Sequence, residues 1–205
     1  MFKKLIEKIQ EVNNILTSRS KEALTFEEGY KLGQFYYDYL NTNPLIDKAE
    51  ELAHENPVLL KSLAEQLKEE SGKLIDNLEK IKDVDFEKIA DEQVTKFSKA
   101  ADEAAEKLNP YWKRYCELNN RLDYLPYDSK EYEETEKDWE IAKKEHDSRQ
   151  IIVRKLYEDR DRETKRSANL YGLNYPILLY LATKINRIAS SILSDLENIG
   201  KEGPK

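Results

Sequence analysis

Along almost the whole chain, apolar residues recur at alternating steps of three and four, the spacing that lines one face of an α-helix. Leu5, Ile9, Val12 and Leu16 form a first such stripe, which predicts a helix ending in the polar stretch from Thr17 to Lys21. A second begins at Thr25-Phe26-Glu27-Glu28, where the Thr25 hydroxyl and the Glu28 carboxylate have the spacing of a reciprocal helix cap. Its seam is Tyr30, Gly33, Tyr37 and Leu40. The Asn-Pro pairs at 43–44, 56–57 and 109–110 each suit a helix start, since Asn caps and proline is tolerated in the first turn. Between them, Leu60, Ala64, Leu67, Ser71, Leu74, Leu78 and Ile81 define one long stripe, and Phe86, Ala90, Val94, Phe97, Ala101, Ala104 and Leu108 another. Joined by the short turn Lys82-Asp83-Val84-Asp85, these two predict an antiparallel helical hairpin over residues 57–108, about 35 Å long at the α-helical rise.

The remainder is also helical in pattern. Trp112, Tyr115, Leu118 and Leu122 predict a shorter helix that stops near Leu125-Pro126. From 129 to 168 neither glycine nor proline interrupts the chain, which predicts one coiled-coil-like helix of about 60 Å that protrudes, in this reading, into solvent. Gly172 then supplies a C-terminal cap, and Asn174-Tyr175-Pro176 restarts a helix with the seam Leu178, Leu181, Ile185, Ile188 and Ile192. The expectation is an all-α, elongated helical bundle forming a single domain over residues 1–205.

Composition sharpens that picture. Charged residues make up 37% of the 205 positions and hydrophobic ones 39%, a balance that suits long helices burying only a stripe each. The net charge of −7 disfavours nucleic acid and anionic membrane as partners, and no apolar run approaches the length of a membrane span. Cys116 stands alone, which fits a reducing compartment, and no apolar run in the first residues resembles a signal peptide. The expected location is cytoplasmic.

Charge in the 129–168 helix is polarised. From Asp128 to Asp147 there are nine acids and four bases, and from Arg149 to Arg166 seven bases and four acids. The order follows the helix dipole, and it would also let two copies pair antiparallel as a homodimer with His146 and Arg149 near the centre. Arg160 and Arg162 belong to the most basic segment, but interleaved acids reduce its field. Thirteen tyrosines are unusually many. Tyr36, Tyr37 and Tyr39 point in different directions around one helix, so part of that cluster must face solvent or a partner. Gly29 and Gly33, four apart in the same helix, predict a close neighbour there.

Chemistry is harder to find. There is no glycine-rich phosphate loop, paired-cysteine motif or nucleophile elbow, and the one Glu-x-x-His pair, Glu51 with His54, lacks the second pair that a carboxylate-bridged metal centre needs. No cofactor or metal is expected. The reading is a non-enzymatic interaction or structural protein, oligomeric, whose partner-binding residues are Tyr36, Tyr37, Tyr39, Trp139, His146, Arg149, Arg160 and Arg162. Two alternatives stand beside it: an acidic helical inhibitor, from a virus or mobile element, of a nucleic-acid-binding protein, and a carboxylate-rich bundle enzyme or metal carrier.

Overall fold

In the computed structural model, which describes residues 1–18 and 24–201, with side chains to 198, seven α-helices and one 3-10 turn account for the secondary structure and no strand occurs among the described residues. The chain is all-α. It divides into two compact units, residues 1–90 with 168 onward, and residues 91–167.

The first unit contains α1 (Phe2–Thr17), α2 (Phe26–Tyr39), α3 (Asn43–Glu55), α4 (Pro57–Leu78), the 3-10 turn Glu79–Ile81, the first turn of α5 (Phe86–Leu122), and α7 (Tyr175–Lys201). Its hub is α4, which packs most extensively against α7 and next against α1. Leu60, Leu67, Leu74 and Leu78 of α4 are all essentially inaccessible, as are Leu5, Ile9 and Leu16 of α1 and Leu178, Leu181 and Ile185 of α7. Burying each such side chain stabilises the fold by about 1.5–3 kcal/mol.

Local signals set the helix ends. The Thr25 N–H donates to Glu28 Oε2 at 2.9 Å and the Glu28 N–H donates back to Thr25 Oγ1 at 3.3 Å, completing the reciprocal cap. Asn56 accepts from the Leu59 N–H at 3.0 Å to start α4, and Asn174 does the same for Ile177 in α7. Gly172 takes φ +75°, a left-handed conformation that favours glycine. Buried polar groups join the helices laterally: Asn13 donates to the Glu70 carbonyl at 3.0 Å and accepts from Asn77 at 3.1 Å, while Asn186 of α7 donates to Lys68 O and Ser71 Oγ on α4.

Within the first unit, the helix containing residues 57–78 takes α7 and α1 as its main partners, and most of α5 belongs to the second unit. The helix start expected at Asn109-Pro110 does not occur, because α5 runs through Pro110. An interior proline costs roughly 3 kcal/mol, which the side chains flanking it must offset by packing.

Gly33 lies where α2 meets the turn after residue 167: a Cβ there would sit 2.4 Å from the Asn169 carbonyl oxygen. At Gly29 the nearest atom is the movable Leu170 Cδ2, 3.1 Å away. The close neighbour is thus a turn, not a second helix. Gly33→Ala should lower stability by about 1–3 kcal/mol in urea denaturation followed by circular dichroism, because backbone must shift. Gly29→Ala should come within about 1 kcal/mol of the parent, since helix propensity offsets a small rotation of Leu170. Equal losses at both sites would contradict this packing.

Candidate interaction surface

Residues 91–167 contain the greater part of α5 and all of α6 (Lys130–Ser167), laid antiparallel. Contacts run in register from end to end: Gln93 with Glu163, Tyr111 with Arg149, Trp112 with His146, Tyr115 with Trp139, and Arg121 with Glu131. Ser129, one residue before α6, accepts from the Tyr132 N–H at 3.0 Å and starts the helix. The long helix is continuous and does not stand alone, since α5 covers one of its faces.

That covered face recurs at steps of four and three. Thr135, Ala142, His146, Val153, Glu163 and Ser167 are buried, and Trp139, Leu156 and Arg160 are half-buried between them. Few of these are aliphatic, and the middle is aromatic. His146 is 6% exposed, with its ring centroid 5.1 Å from that of Trp112 and 5.6 Å from that of Tyr115, the latter nearly parallel. Its Nδ1 lies 3.1 Å from Asp147 Oδ1. Tyr115 also packs on Trp139 at 5.8 Å, and the Trp139 indole nitrogen is buried without a hydrogen-bond partner. Just outside, the Arg149 guanidinium sits 3.9 Å over the Tyr111 ring and Lys143 Nζ 5.0 Å over Trp139, both in cation–π geometry.

Near the other end, Glu163 is buried and accepts from Gln93 at 3.0 Å, Arg166 at 3.0 and 3.1 Å, and Arg162 at 3.4 Å. Burial pushes its carboxyl upward, but the Gln93 and arginine contacts outweigh this and hold it below the usual carboxylate value.

The residues expected to bind a partner therefore divide. Trp139 and His146 are engaged within the chain, and Arg149 is exposed but stacked on Tyr111. Arg160 pairs with Asp161 and lies over Tyr157, while Arg162 is exposed and paired with Asp159 and Glu163. The tyrosines of α2 are in the first unit: Tyr36 and Tyr39 pack on its core, burial raises the Tyr39 hydroxyl pKa, and Tyr37 faces solvent. Glu51 and His54 are both exposed, and among the described residues no group of three or more His, Cys, Asp or Glu is arranged to hold a metal ion. No described helix is long and apolar enough to cross a membrane.

Sequence reasoning passed over the opposite face of α6. Ile141, Ile151 and Ile152, the only isoleucines in residues 91–167, are 52%, 69% and 58% exposed. The signal was present: Ile151-Ile152-Val153 is a run of three apolar residues where a helix seam accommodates one. Along the same face, Glu134, Ile141, Ser148, Lys155 and Arg162 recur every seventh residue. At the loop between the helices, Tyr124 and Tyr127 are 89% and 76% exposed. No family model matches the chain, and no curated protein or solved structure is significantly similar to it.

Both tryptophans, Trp112 and Trp139, belong to this unit, so tryptophan fluorescence reports on it specifically. Since Glu163 has a folded pKa below its unfolded one, its contribution is present in full above the unfolded pKa and is lost as pH falls through the folded value. Fluorescence-detected urea midpoints should fall on acidification, and Glu163→Gln should flatten that dependence while lowering the midpoint near neutral pH. An unchanged pH slope in the variant would show that Glu163 contributes nothing to it.

Proposed function

We propose that this chain is a non-enzymatic interaction protein that works as an oligomer, with the outer face of α6 as its contact to a second copy. The exposure of Ile141, Ile151 and Ile152 carries the reading. Three β-branched aliphatic residues, each more than half exposed on one helix, represent about 1–2 kcal/mol apiece that burial would recover, whereas the covered seam of the same helix has Val153 and Leu156 as its aliphatic residues larger than alanine, among Ala, Thr, Ser, His, Trp and charged groups. Charge supports the choice of partner. When the row Glu134, Ile141, Ser148, Lys155, Arg162 meets its own reverse, Glu134 faces Arg162 at both ends, Ile141 faces the methylene stem of Lys155, and Ser148 faces itself on the two-fold axis. Ile152 of one copy then falls within one helical turn of Ile141 in the other. Asp138 facing Glu158 opposes the pairing and keeps it weak. A lone Cys116 favours a reducing, cytoplasmic setting.

Sedimentation equilibrium of the full chain should show a concentration-dependent dimer. Glu134→Arg and Arg162→Glu should each weaken it about ten-fold, counting two symmetric contacts, and the double variant should recover it. Ile151→Asp should leave a folded monomer. A parent chain that stays monomeric at about 100 µM, or a double variant no better than either single one, contradicts the reading.

A second reading rests on the acidic loop end of the same unit. Tyr124 and Tyr127 stand exposed beside Asp123, Asp128 and the acid-rich first half of α6, a combination suited to a basic protein groove of the kind that binds nucleic acid. Such an inhibitor would compete with nucleic acid for that groove, and its affinity would fall steeply with ionic strength.

A further inference from the structure

The first unit has an apolar groove that its own core leaves open. One wall is α3, through Ile46, Ala49 and Ala53; the other is α7, through Ile188, Ile192 and Leu196. Leu60, the fourth residue of α4, lines it as well, and the groove encloses about 410 Å³. On each wall the lining residues recur at helical spacing over nine residues, from 46 to 54 on α3 and from 188 to 196 on α7, so each wall is about 12 Å long. Two alanines on the α3 wall hold the groove open, because a larger side chain at either position would reach across it. The apolar surface has company at its α4 end, where Val58 and Leu59 are 79% and 39% exposed.

Its polar edge is acidic. Glu50 on the α3 side and Asp195 on the α7 side both line the groove and are exposed, Glu50 four residues after the wall residue Ile46 and Asp195 three after Ile192. On α3, Asp47, Glu50, Glu51 and Glu55 outnumber Lys48, which is itself engaged by Glu51. Only His54 among the lining residues can carry positive charge. An apolar floor two turns long with a carboxylate on both sides matches an amphipathic helix with leucine-like residues on one stripe and Lys or Arg flanking it.

We infer that the α3–α7 groove is a docking site for a basic amphipathic helix of a partner protein. The occupant's apolar stripe fills the space over Ala49 and Ala53, and its flanking cations reach Glu50 and Asp195. Apolar contact supplies affinity, and the paired carboxylates select against acidic helices, which include most of the exposed helix surface of this chain. The site is separate from the outer face of α6, so either can fail without the other.

The probe is a fluorescently labelled peptide of leucine, alanine and lysine, about four turns long, with leucine on one stripe, compared with the same peptide carrying glutamate for lysine. Fluorescence anisotropy with the full chain should show the lysine peptide binding at least about ten-fold more tightly than the glutamate one. Ala53→Trp fills the groove and should abolish binding with an unchanged thermal melt. Glu50→Lys combined with Asp195→Lys, at two exposed positions that leave the core intact, should invert the preference between the peptides. Ile151→Asp should bind as the parent does. Binding of the lysine peptide that survives both groove variants would place it elsewhere on the acidic surface and overturn the inference, as would equal binding of the two peptides.

Discussion

The packing of the His146 ring against Trp112 and Tyr115 determines which side of α6 is left for other work. An imidazole that is 6% exposed between two aromatic rings needs a neighbouring helix at close range, and α5 supplies it. Once that side is occupied, the heptad geometry of α6 turns Ile141, Ile151 and Ile152 outward. A helix with a purely aliphatic seam would not make so clear a distinction. Here the covered side is mostly small, polar and aromatic, with Val153 and Leu156 its larger aliphatic residues, and all three isoleucines of the helix lie on the uncovered one. Burial of Glu163 under Gln93, Arg162 and Arg166 secures the far end of the same seam with charge where packing is thin.

The first unit follows a different logic. Its stability comes from the leucine stripe of α4, covered by α7 and α1, and polar groups serve mainly to fix alignment, through Asn13 with Glu70 and Asn77 and through Asn186 with Ser71. The α3–α7 groove arises from this arrangement. Both walls are anchored by residues packed into the core, Leu45 and Ala49 on one side and Ile185 and Ala189 on the other, while the next residues along each helix remain partly open.

Features encoded within a few residues were legible in the sequence. The reciprocal cap at Thr25 and Glu28, the starts at Asn56 and Asn174, the turn at Gly172, and the stripes of α1, α4 and α7 are all local, and each appears in the structure where its pattern put it. Pairing was not legible, because it depends on which of several compatible stripes wins. Pro110 looked like a boundary because its local cost is real, and only contacts on either side of it keep α5 whole. On α6 the polar seam residues such as His146 follow from periodicity, whereas the exposure of Ile141, Ile151 and Ile152 does not, because hydrophobic patterning alone assigns isoleucines to a core.

The chain has two histidines, and they provide the most direct test that the seam of α6 is covered within the chain. Carbethoxylation of the native protein, followed by mass spectrometry of the peptides, should modify the exposed His54 rapidly and His146 only after unfolding. Comparable rates at His54 and His146 in the folded protein would mean that α5 does not cover that face of α6, and the argument for an outward-facing isoleucine surface would fall with it.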